Sequence, residues 1–235
     1  MAFLFGKAQK EPVSAIVVAA GSGRRMQGID KLRWCLEDTP VLAAALAAFE
    51  ACRQIDEIIL VARREDMEDF LHMAQDFGIG KLKSLVPGGL TRQQSVAAGA
   101  AACREDAGYL CIHDGARPFV TPALIERCLA GAREHGAAAA AVPVKDTIKR
   151  ADERGFVTET PRRAGLFAVQ TPQVFRAELY RRALCEAGEE YSDDCQLVEA
   201  LGCPVYLSEG DELNIKLTTQ SDLTLAETIW FSRTA

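Results

Sequence analysis

Two glycines followed by cationic side chains form the segment best suited to bind phosphate. Gly21-Ser22-Gly23 is followed by Arg24 and Arg25, with Lys31 a little further along. Glycine has no β-carbon, so its backbone N–H can approach phosphate oxygens closely. The cations add fixed positive charge at the same point, as phosphoryl and nucleotidyl transfer require. The segment predicts a phosphate-binding loop; the alternative is an ordinary β–α turn with surface arginines.

Two common phosphate-binding motifs do not fit this segment. A dinucleotide-binding loop has a third glycine where this chain has Met26, and an acidic residue at the end of the second strand, where this chain has Arg63. The P-loop motif, which ends in Gly-Lys-Ser/Thr, does not occur in the sequence. The loop alone therefore leaves the substrate open.

A second glycine pair, Gly88-Gly89, precedes Arg92 and Ser95 at the predicted start of a helix. Helix N-termini attract anions, and a serine hydroxyl there can hydrogen-bond a base or a phosphate. The alternative is a simple turn with a helix cap.

Asp114 follows a predicted buried strand, at the position where α/β enzymes bind ligands. Its carboxylate suits Mg²⁺, directly or through water; the alternative is a turn in which Asp114 pairs with an arginine. His113 before it fits a packed histidine better than a catalytic base.

Two further groups of cations lie late in the chain. The segment 145–150 and the pair Arg162-Arg163 flank a polar stretch, which predicts either a solvated hairpin or an arm that crosses to a second subunit and offers Arg163 to a phosphate there. Lys216 interrupts the apolar segment Ile215–Leu217 and needs an anionic partner, for which a phosphate is a good candidate.

Alternating strands and helices must position these residues. The predicted strands are Val13–Ala20, Glu57–Ala62, Leu82–Val86, Tyr109–His113, Ala137–Val144, Val205–Leu207 and Ile215–Leu217. The predicted helices are Thr39–Cys52, Glu65–Phe77, Thr91–Cys103, Thr121–Gly136, Ala177–Glu186, Asp194–Leu201 and Ser221–Phe231. The pattern predicts an α/β fold: one domain over residues 1–235, a Rossmann-like, mostly parallel sheet with helices on both faces, and a projecting β-arm at about 145–170.

Composition narrows the class of protein. The formal net charge is −6, which argues against nucleic acid as a partner. Eight cysteines form no C-x-x-C pair and the three histidines are scattered, so no zinc site is predicted and the thiols are expected to be reduced, as in the cytoplasm. The sequence contains no apolar run of about 18 residues, so no membrane span is predicted.

Taken together, the motifs resemble the 2-C-methyl-D-erythritol 4-phosphate cytidylyltransferase family. They are, in order, AAGSGRRM with Lys31, GGLTRQQSV, HDGARPFV, PVKDTIKR, QTPQVF, SDD and EGDELNIKLTT. The resemblance implies that CTP and methylerythritol phosphate give a cytidine diphosphate alcohol and pyrophosphate, with Mg²⁺, in the non-mevalonate synthesis of isoprenoid precursors. It also implies a homodimer joined through the arms.

The resemblance also assigns site residues. It implies that Arg25 and Lys31 stabilise charge on the phosphates in the transition state, and that Arg163 from the neighbouring subunit and Lys216 position the substrate phosphate as catalytic residues. Nucleotide-binding positions would be Ala19, Ala20, Gly21, Gly23, Gly89, Ser95, Asp114 and Gly115. Thr147 and Thr171 would lie near the methylerythritol moiety, and Asp114 would face the metal.

Three departures from the family pattern affect individual contacts more than they affect the resemblance. Gly115 stands where alanine or serine is usual, Leu90 replaces a frequent acidic residue, and the loop before Lys31 is short. The alternatives are a cytidylyltransferase for ribitol 5-phosphate or another polyol phosphate, and a nucleotide-binding protein without catalysis. A nucleotide-sugar glycosyltransferase fits less well, because the sequence has no D-x-D metal motif.

Overall fold

The computed structural model describes residues 11–21, 30–188 and 190–234 of the chain. The strands are β1 (Val13–Val18), β2 (Cys35–Leu36), β3 (Thr39–Pro40), β4 (Glu57–Ala62), β5 (Leu82–Pro87), β6 (Tyr109–Asp114), β7 (Ala137–Pro143), β8 (Arg150–Ala151), β9 (Val157–Glu159), β10 (Phe167–Arg176) and β11 (Tyr206–Glu209). The helices are α1 (Val41–Ala51), α2 (Met67–Asp76), α3 (Arg92–Ala102), α4 (Pro122–His135), α5 (Ala177–Glu186), α6 (Asp194–Glu199) and α7 (Gln220–Thr234), with a 3₁₀ turn at Arg64–Asp66.

Seven of these strands form one sheet in the order β11-β7-β10-β6-β1-β4-β5. Strands β1, β4, β5 and β6 pair in parallel, as do β7 and β11, whereas β10 runs antiparallel to β6 and β7. The carboxyl ends of β1, β4, β5 and β6 therefore meet at one edge, where a doubly wound sheet binds ligands. The predicted α/β fold with a mostly parallel sheet is confirmed.

Strand β10 was not predicted. Its middle carries Gln170, Thr171 and Gln173, which resemble a loop in sequence but are 7%, 3% and 2% exposed. Buried polar side chains need hydrogen-bond partners. For Gln170 the segment at Asp211 supplies them: the Gln170 amide donates to the Asp211 carbonyl and accepts from the Asp211 N–H.

Two local predictions were wrong. The helix predicted from Thr39 begins two residues later, at Val41, because Thr39–Pro40 forms a short strand with Cys35–Leu36. The segment Ile215–Leu217 is not a strand in the structure. Leu217 is buried because it packs in the apolar cluster beside α7, not because it joins the sheet.

Other helix boundaries follow the predicted signals. The hydroxyls of Thr91 and Thr121 accept hydrogen bonds from the backbone N–H groups of Gln94 and Leu124, which caps α3 and α4. Helix α4 ends at Gly136, whose φ of 88° lies in the left-handed region that glycine adopts without strain.

Helices cover both faces of the sheet. One core cluster contains Phe49 of α1, Phe70 of α2 and Leu124 of α4. The other contains Val96 of α3 and Tyr180 of α5. All five side chains are fully buried, and burial of a side chain of this size contributes about 1.5–3 kcal/mol relative to its exposed state. The two clusters hold the sheet, and hence its ligand-binding edge, rigidly.

The predicted arm is a hairpin of β8 and β9. The N–H of Asp152 donates to the carbonyl of Phe156, and Gly155 has a φ of 86° in the turn. Side chains from 145 to 160 are exposed. The last part of the predicted arm, from Phe167 onward, belongs to β10 instead.

Within the described part of the chain, no helix is long and apolar enough to cross a lipid bilayer.

Candidate functional site

The two glycine segments lie against each other at the carboxyl ends of β1 and β5. A β-carbon on Gly88 would lie 2.4 Å from Cβ of Ala20 and 2.8 Å from Oγ of Ser95. The N–H of Gly89 donates to Oγ of Ser95 at 3.1 Å, and this hydroxyl donates to the Thr91 carbonyl at 2.9 Å. Ser95 therefore shapes the glycine turn from beneath, being 3% exposed.

The first loop leaves β1 from a well-held residue, Ala19. Ala19 is 2% exposed, and its N–H donates to the Val61 carbonyl at 2.7 Å. Gly21, at the last described position, is exposed. The predicted site residues Gly23 and Arg25 lie outside the described residues.

Lys31 reaches the segment that carries Lys216. Its Nζ donates to the Leu217 carbonyl at 2.8 Å, although 186 residues separate the two. The N–H of Leu217 in turn donates to the Ala116 carbonyl, next to Gly115. The structure thus brings Lys31 and Lys216 to the end of β6, where Asp114 lies.

Asp114 is the anionic partner of Lys216. Nζ of Lys216 lies 2.6 Å from Oδ2 of Asp114, and Nε of Arg92 lies 3.1 Å from Oδ1. The Asp114 side chain is 10% exposed. Burial alone would raise the pKa of this carboxyl, but the charges of Arg92 and Lys216 outweigh burial and lower it below its usual range. Asp114 is therefore ionised at neutral pH.

Arg92 also binds a second buried carboxylate that the sequence analysis did not assign to the site. Its Nη1 lies 2.6 Å from Oδ2 of Asp194, and the Tyr180 hydroxyl donates to Oδ1 at 2.5 Å. Burial raises the pKa of Asp194, and the charge of Arg92 only partly offsets this effect. The SDD motif and the arginine after the glycine pair were the available signals for this interaction.

Burial and opposing charges also compete at Arg92. Burial alone would lower the pKa of its guanidinium, but Asp194 and Asp114 raise it above the usual value. Arg92 thus stays charged between the two carboxylates and links α3, β6 and α6.

The loop after β6 is held by a directed set of hydrogen bonds. The Arg117 carbonyl can only accept, so Nε2 of His113, 3.2 Å away, carries the ring proton and donates it. Nδ1 of His113 then accepts from the Thr171 hydroxyl at 3.0 Å, and Oγ1 of Thr171 accepts from the N–H of Asp114 at 3.1 Å. Burial lowers the pKa of His113 to about 4, so the ring is neutral. The expectation of a packed histidine agrees with this position.

The side chain of Thr171 lies behind Asp114 in the structure. It is 3% exposed and its hydroxyl is engaged by Asp114 and His113. The side chain of Thr171 supports Asp114 from the adjacent strand β10.

Gly115 lies in a tight space. Its N–H donates to the Val18 carbonyl at 2.9 Å, and an added β-carbon would lie 3.0 Å from Cδ1 of Leu42 and 3.2 Å from the Val18 oxygen. Glycine at this position lets the Asp114 turn approach β1 closely.

The arm residues are not brought to this cluster within one chain. Arg163 is exposed and its Nη1 donates to the Lys145 carbonyl at the base of the arm, while Thr147 is exposed on the arm itself. Among the contacts of residues 11–21, 30–188 and 190–234, none joins either residue to Asp114.

A metal ion would need oxygen ligands from the substrates here. In the described ranges no three His, Cys, Asp or Glu side chains form a group that could hold a metal ion. Magnesium sites in nucleotide enzymes use one or two carboxylates together with substrate phosphates. The Asp114 carboxylate fits that pattern, since each of its oxygens accepts one hydrogen bond and has lone pairs to spare.

Comparison with known proteins assigns this arrangement to a family. The model of the 2-C-methyl-D-erythritol 4-phosphate cytidylyltransferase family matches residues 13–232. A protein of that name from Dehalococcoides mccartyi strain CBDB1 is 43% identical over 217 residues, covering 92% of this chain and 95% of the relative. One from Alkaliphilus metalliredigens is 43% identical over 224 residues, covering 92% of each chain.

Solved structures agree with the sequence relatives. The crystal structure of 4-diphosphocytidyl-2C-methyl-D-erythritol synthase from Anaerococcus prevotii superposes with a TM-score of 0.83 at 30% identity, covering 94% of this chain and 99% of that one. The 2-C-methyl-D-erythritol 4-phosphate cytidylyltransferase of Thermus thermophilus gives a TM-score of 0.75 at 34% identity, with 93% and 98% covered. The chain belongs to the 2-C-methyl-D-erythritol 4-phosphate cytidylyltransferase family.

Proposed function

We propose that this protein transfers CMP from CTP to 2-C-methyl-D-erythritol 4-phosphate and releases pyrophosphate, a step in the non-mevalonate synthesis of isoprenoid precursors. Membership of the family supports the reaction. The structural observation that carries it is a chain of contacts at the ligand-binding edge of the sheet: Lys31 binds the Leu217 carbonyl, and the preceding residue, Lys216, binds Asp114.

The attacking group in this reaction is the phosphate of the methylerythritol substrate. Its second pKa is about 6, so most of it is a dianion at neutral pH and needs no general base. An oxygen of this phosphate forms a bond to the α-phosphorus of CTP, the bond from that phosphorus to the bridging oxygen breaks, and pyrophosphate leaves with the electron pair. A reaction without a general base agrees with the state of His113. Its ring is buried and neutral, and its Nε2 donates to the Arg117 carbonyl.

The main barrier is repulsion between the two anionic substrates. Unit charges 4 Å apart repel by about 4 kcal/mol at an effective dielectric of 20. We infer that Lys31 and Lys216, with Arg25 from the first loop, offset this repulsion and hold the reacting atoms in line. Asp114 and Arg92 keep Lys216 in place, and Gly89 presents its end of the second glycine segment to the nucleotide.

We further propose Mg²⁺ as the cofactor, with Asp114 as its protein ligand. When bound, the ion would supply positive charge to the triphosphate. Orientation of the two substrates would remain the task of the protein side chains. Asp114 is already held by Lys216, Arg92 and the Thr171 hydroxyl before any ligand arrives.

A homodimer joined through the arm is part of the proposal. The arm exposes large apolar side chains, with Phe156 62%, Val157 58% and Ile148 40% exposed. Apolar groups clustered on one projecting hairpin are typical of an interface. Arg163 and Thr147 would then reach the site of the partner subunit, since they do not reach Asp114 of their own chain in the described contacts.

A reducing compartment such as the cytoplasm is the proposed location. All eight cysteines lie in the described ranges and each is a free thiol. Reduced thiols in this number are typical of cytoplasmic proteins.

The test is a grid of CTP, ATP, GTP and UTP against 2-C-methyl-D-erythritol 4-phosphate and ribitol 5-phosphate, read by pyrophosphate release. We expect release only with CTP and the methylerythritol substrate. Release that prefers ribitol 5-phosphate would assign the protein to another polyol phosphate. No release with any pair would point to nucleotide binding without catalysis. The variant Lys83→Met, at an exposed lysine, serves as a matched control for lysine variants of the site.

A further inference from the structure

Four charged side chains form a closed ring beside Lys31. Arg33 binds Asp30 through Nη1, and the same Nη1 lies 2.9 Å from Oδ1 of Asp66. Nε of Arg63 lies 2.5 Å from Oδ2 of Asp66, and its Nη2 lies 3.7 Å from Oδ2 of Asp30. The ring joins the segment after the first glycine loop to the segment after β4.

Asp66 is the buried member of this ring. Its side chain is 5% exposed, whereas those of Asp30, Arg33 and Arg63 are 32–33% exposed. A buried carboxylate without cationic partners is costly, so Asp66 holds both arginines firmly. Burial alone would lower the pKa of Arg33, but hydrogen bonds to Asp66, Asp69 and Asp30 raise it. Asp66 thus anchors the ring to the rigid end of β4.

Asp30, another member of the ring, organises the turn that contains Lys31. Oδ1 of Asp30 accepts from the Leu32 N–H at 3.0 Å. The Asp30 carbonyl accepts from the N–H groups of Arg33 at 3.2 Å and Trp34 at 3.0 Å. Lys31 leaves this turn towards the Leu217 carbonyl. Displacing Asp30 therefore displaces the backbone from which Lys31 extends.

We propose that Asp66 is a positioning residue for nucleotidyl transfer: through Arg33 and Arg63 it fixes Asp30, and thereby the place from which Lys31 reaches the phosphates. The inference rests on the role of Lys31 in the proposed function. Arg63 follows β4, at the position where a dinucleotide-binding fold would have an acidic residue, and here it binds Asp66.

Asp69 provides a matched control. Its Oδ2 lies 2.7 Å from Nη2 of Arg33, so it binds the same guanidinium as Asp66. Its side chain is 64% exposed and it has no contact with Arg63 in the described residues. Asp69→Asn removes a carboxylate from Arg33 without opening the ring.

The kinetic test compares Asp66→Asn with Asp69→Asn, at a temperature well below the melting point of each. We expect kcat of Asp66→Asn to fall about tenfold or more, as displacement of a catalytic group does, with KM for the methylerythritol substrate little changed. Asp69→Asn should keep kcat. Lys31→Ala combined with Asp66→Asn should be no slower than Lys31→Ala alone, because both changes act through one residue.

A second readout does not depend on activity. Hydrogen–deuterium exchange of the peptide containing residues 30–34 should be faster in Asp66→Asn than in the wild type and unchanged in Asp69→Asn. If Asp66→Asn fails to fold, Arg63→Gln opens the ring at a side chain that is 33% exposed and should change exchange and kcat in the same direction.

Two results would overturn the positioning role: a kcat of the ring variants within about twofold of wild type, or losses that multiply in the double variant. Absence of pyrophosphate release by the wild-type protein would count against the proposed function instead. In that case hydrogen–deuterium exchange would still test the positioning role of Asp66. Unchanged exchange at residues 30–34 in Asp66→Asn would show that Asp66 does not hold Asp30.

Discussion

Lys216 donates from Nζ to Oδ2 of Asp114 at 2.6 Å across a separation of 102 residues. This contact joins the turn at the end of β6 to the segment before α7. It places a cation at the ligand-binding edge of the sheet and holds it there before a phosphate arrives. The carboxylate that orients Lys216 is itself held by Arg92.

Removing the Lys216 charge tests the central electrostatic claim. In Lys216→Met, we expect kcat to fall about 10²-fold, the scale on which one transition-state charge contact acts. Steady-state pyrophosphate release is the measurement, and Lys83→Met, at an exposed position, is the control. Near wild-type kcat in Lys216→Met would remove this residue from the mechanism.

Asp194→Asn tests the second carboxylate on Arg92. The change leaves Arg92 with Asp114 alone in the interior and keeps the side-chain size. Arg92 keeps one carboxylate partner, so we expect the free energy of unfolding to fall by about 1.5–3 kcal/mol, the scale of one hydrogen bond to a charged group. Urea denaturation measures it. Asp193→Asn is the control. Asp193 caps α6 by accepting from the Gln196 N–H, and asparagine caps a helix equally well. An equally stable Asp194→Asn would contradict the structural role.

Gly88→Ala tests the packing of the two glycine segments. The new β-carbon would lie 2.4 Å from Cβ of Ala20, so one segment must move. We expect weaker CTP binding in calorimetry by about tenfold, a shift of about 1.4 kcal/mol. Gly188→Ala, at a glycine with nothing within 4 Å of the added carbon, is the control. Wild-type affinity in Gly88→Ala would show that this contact does not shape the nucleotide site.

His113 predicts an acid-side loss of stability. Its folded pKa of about 4 lies below the ordinary value of 6.5, so the unfolded chain takes up a proton at a pH where the folded protein does not. Stability from this group is present above pH 6.5 and is lost as pH falls towards about 4, by about 3 kcal/mol in total.

Denaturation curves between pH 7 and pH 4 measure that loss, and His113→Gln should flatten it. The contribution of Asp114, whose folded pKa is lowered below its usual range, is lost only as pH falls through its ordinary value of 3.8 and below, at the lower edge of this window. An equally steep curve in His113→Gln would mean that another group titrates.

Mixing two inactive variants tests the shared site. If Arg163 acts on the neighbouring subunit, Arg163→Ala and Lys216→Met mixed in equal amounts and allowed to exchange subunits should recover about a quarter of wild-type activity, because half of the random dimers contain one intact site out of two. Each variant alone is the control. No recovery, with exchange verified by mass spectrometry, would place Arg163 in the site of its own chain or outside it.

The order of residues along the chain was enough to predict the alternation of strands and helices, because apolar runs and the Thr91, Thr121 and Gly136 boundary signals act locally. The resemblance of the motifs to a known family assigned the two glycine segments, Asp114 and Lys216 to one site. It did not reveal β10, since its buried glutamines and threonine look like a loop until their partners across the fold are known.

The partners of the charged side chains became known only from the folded structure. The pairs of Lys216 with Asp114, of Arg92 with Asp194, and of Lys31 with the Leu217 carbonyl join residues 102 to 186 positions apart. Local patterns do not encode such contacts, because they arise when segments distant in sequence, such as α3 and α6, become neighbours in the folded chain. The same is true of the ring around Asp66, whose burial follows from the packing at the end of β4.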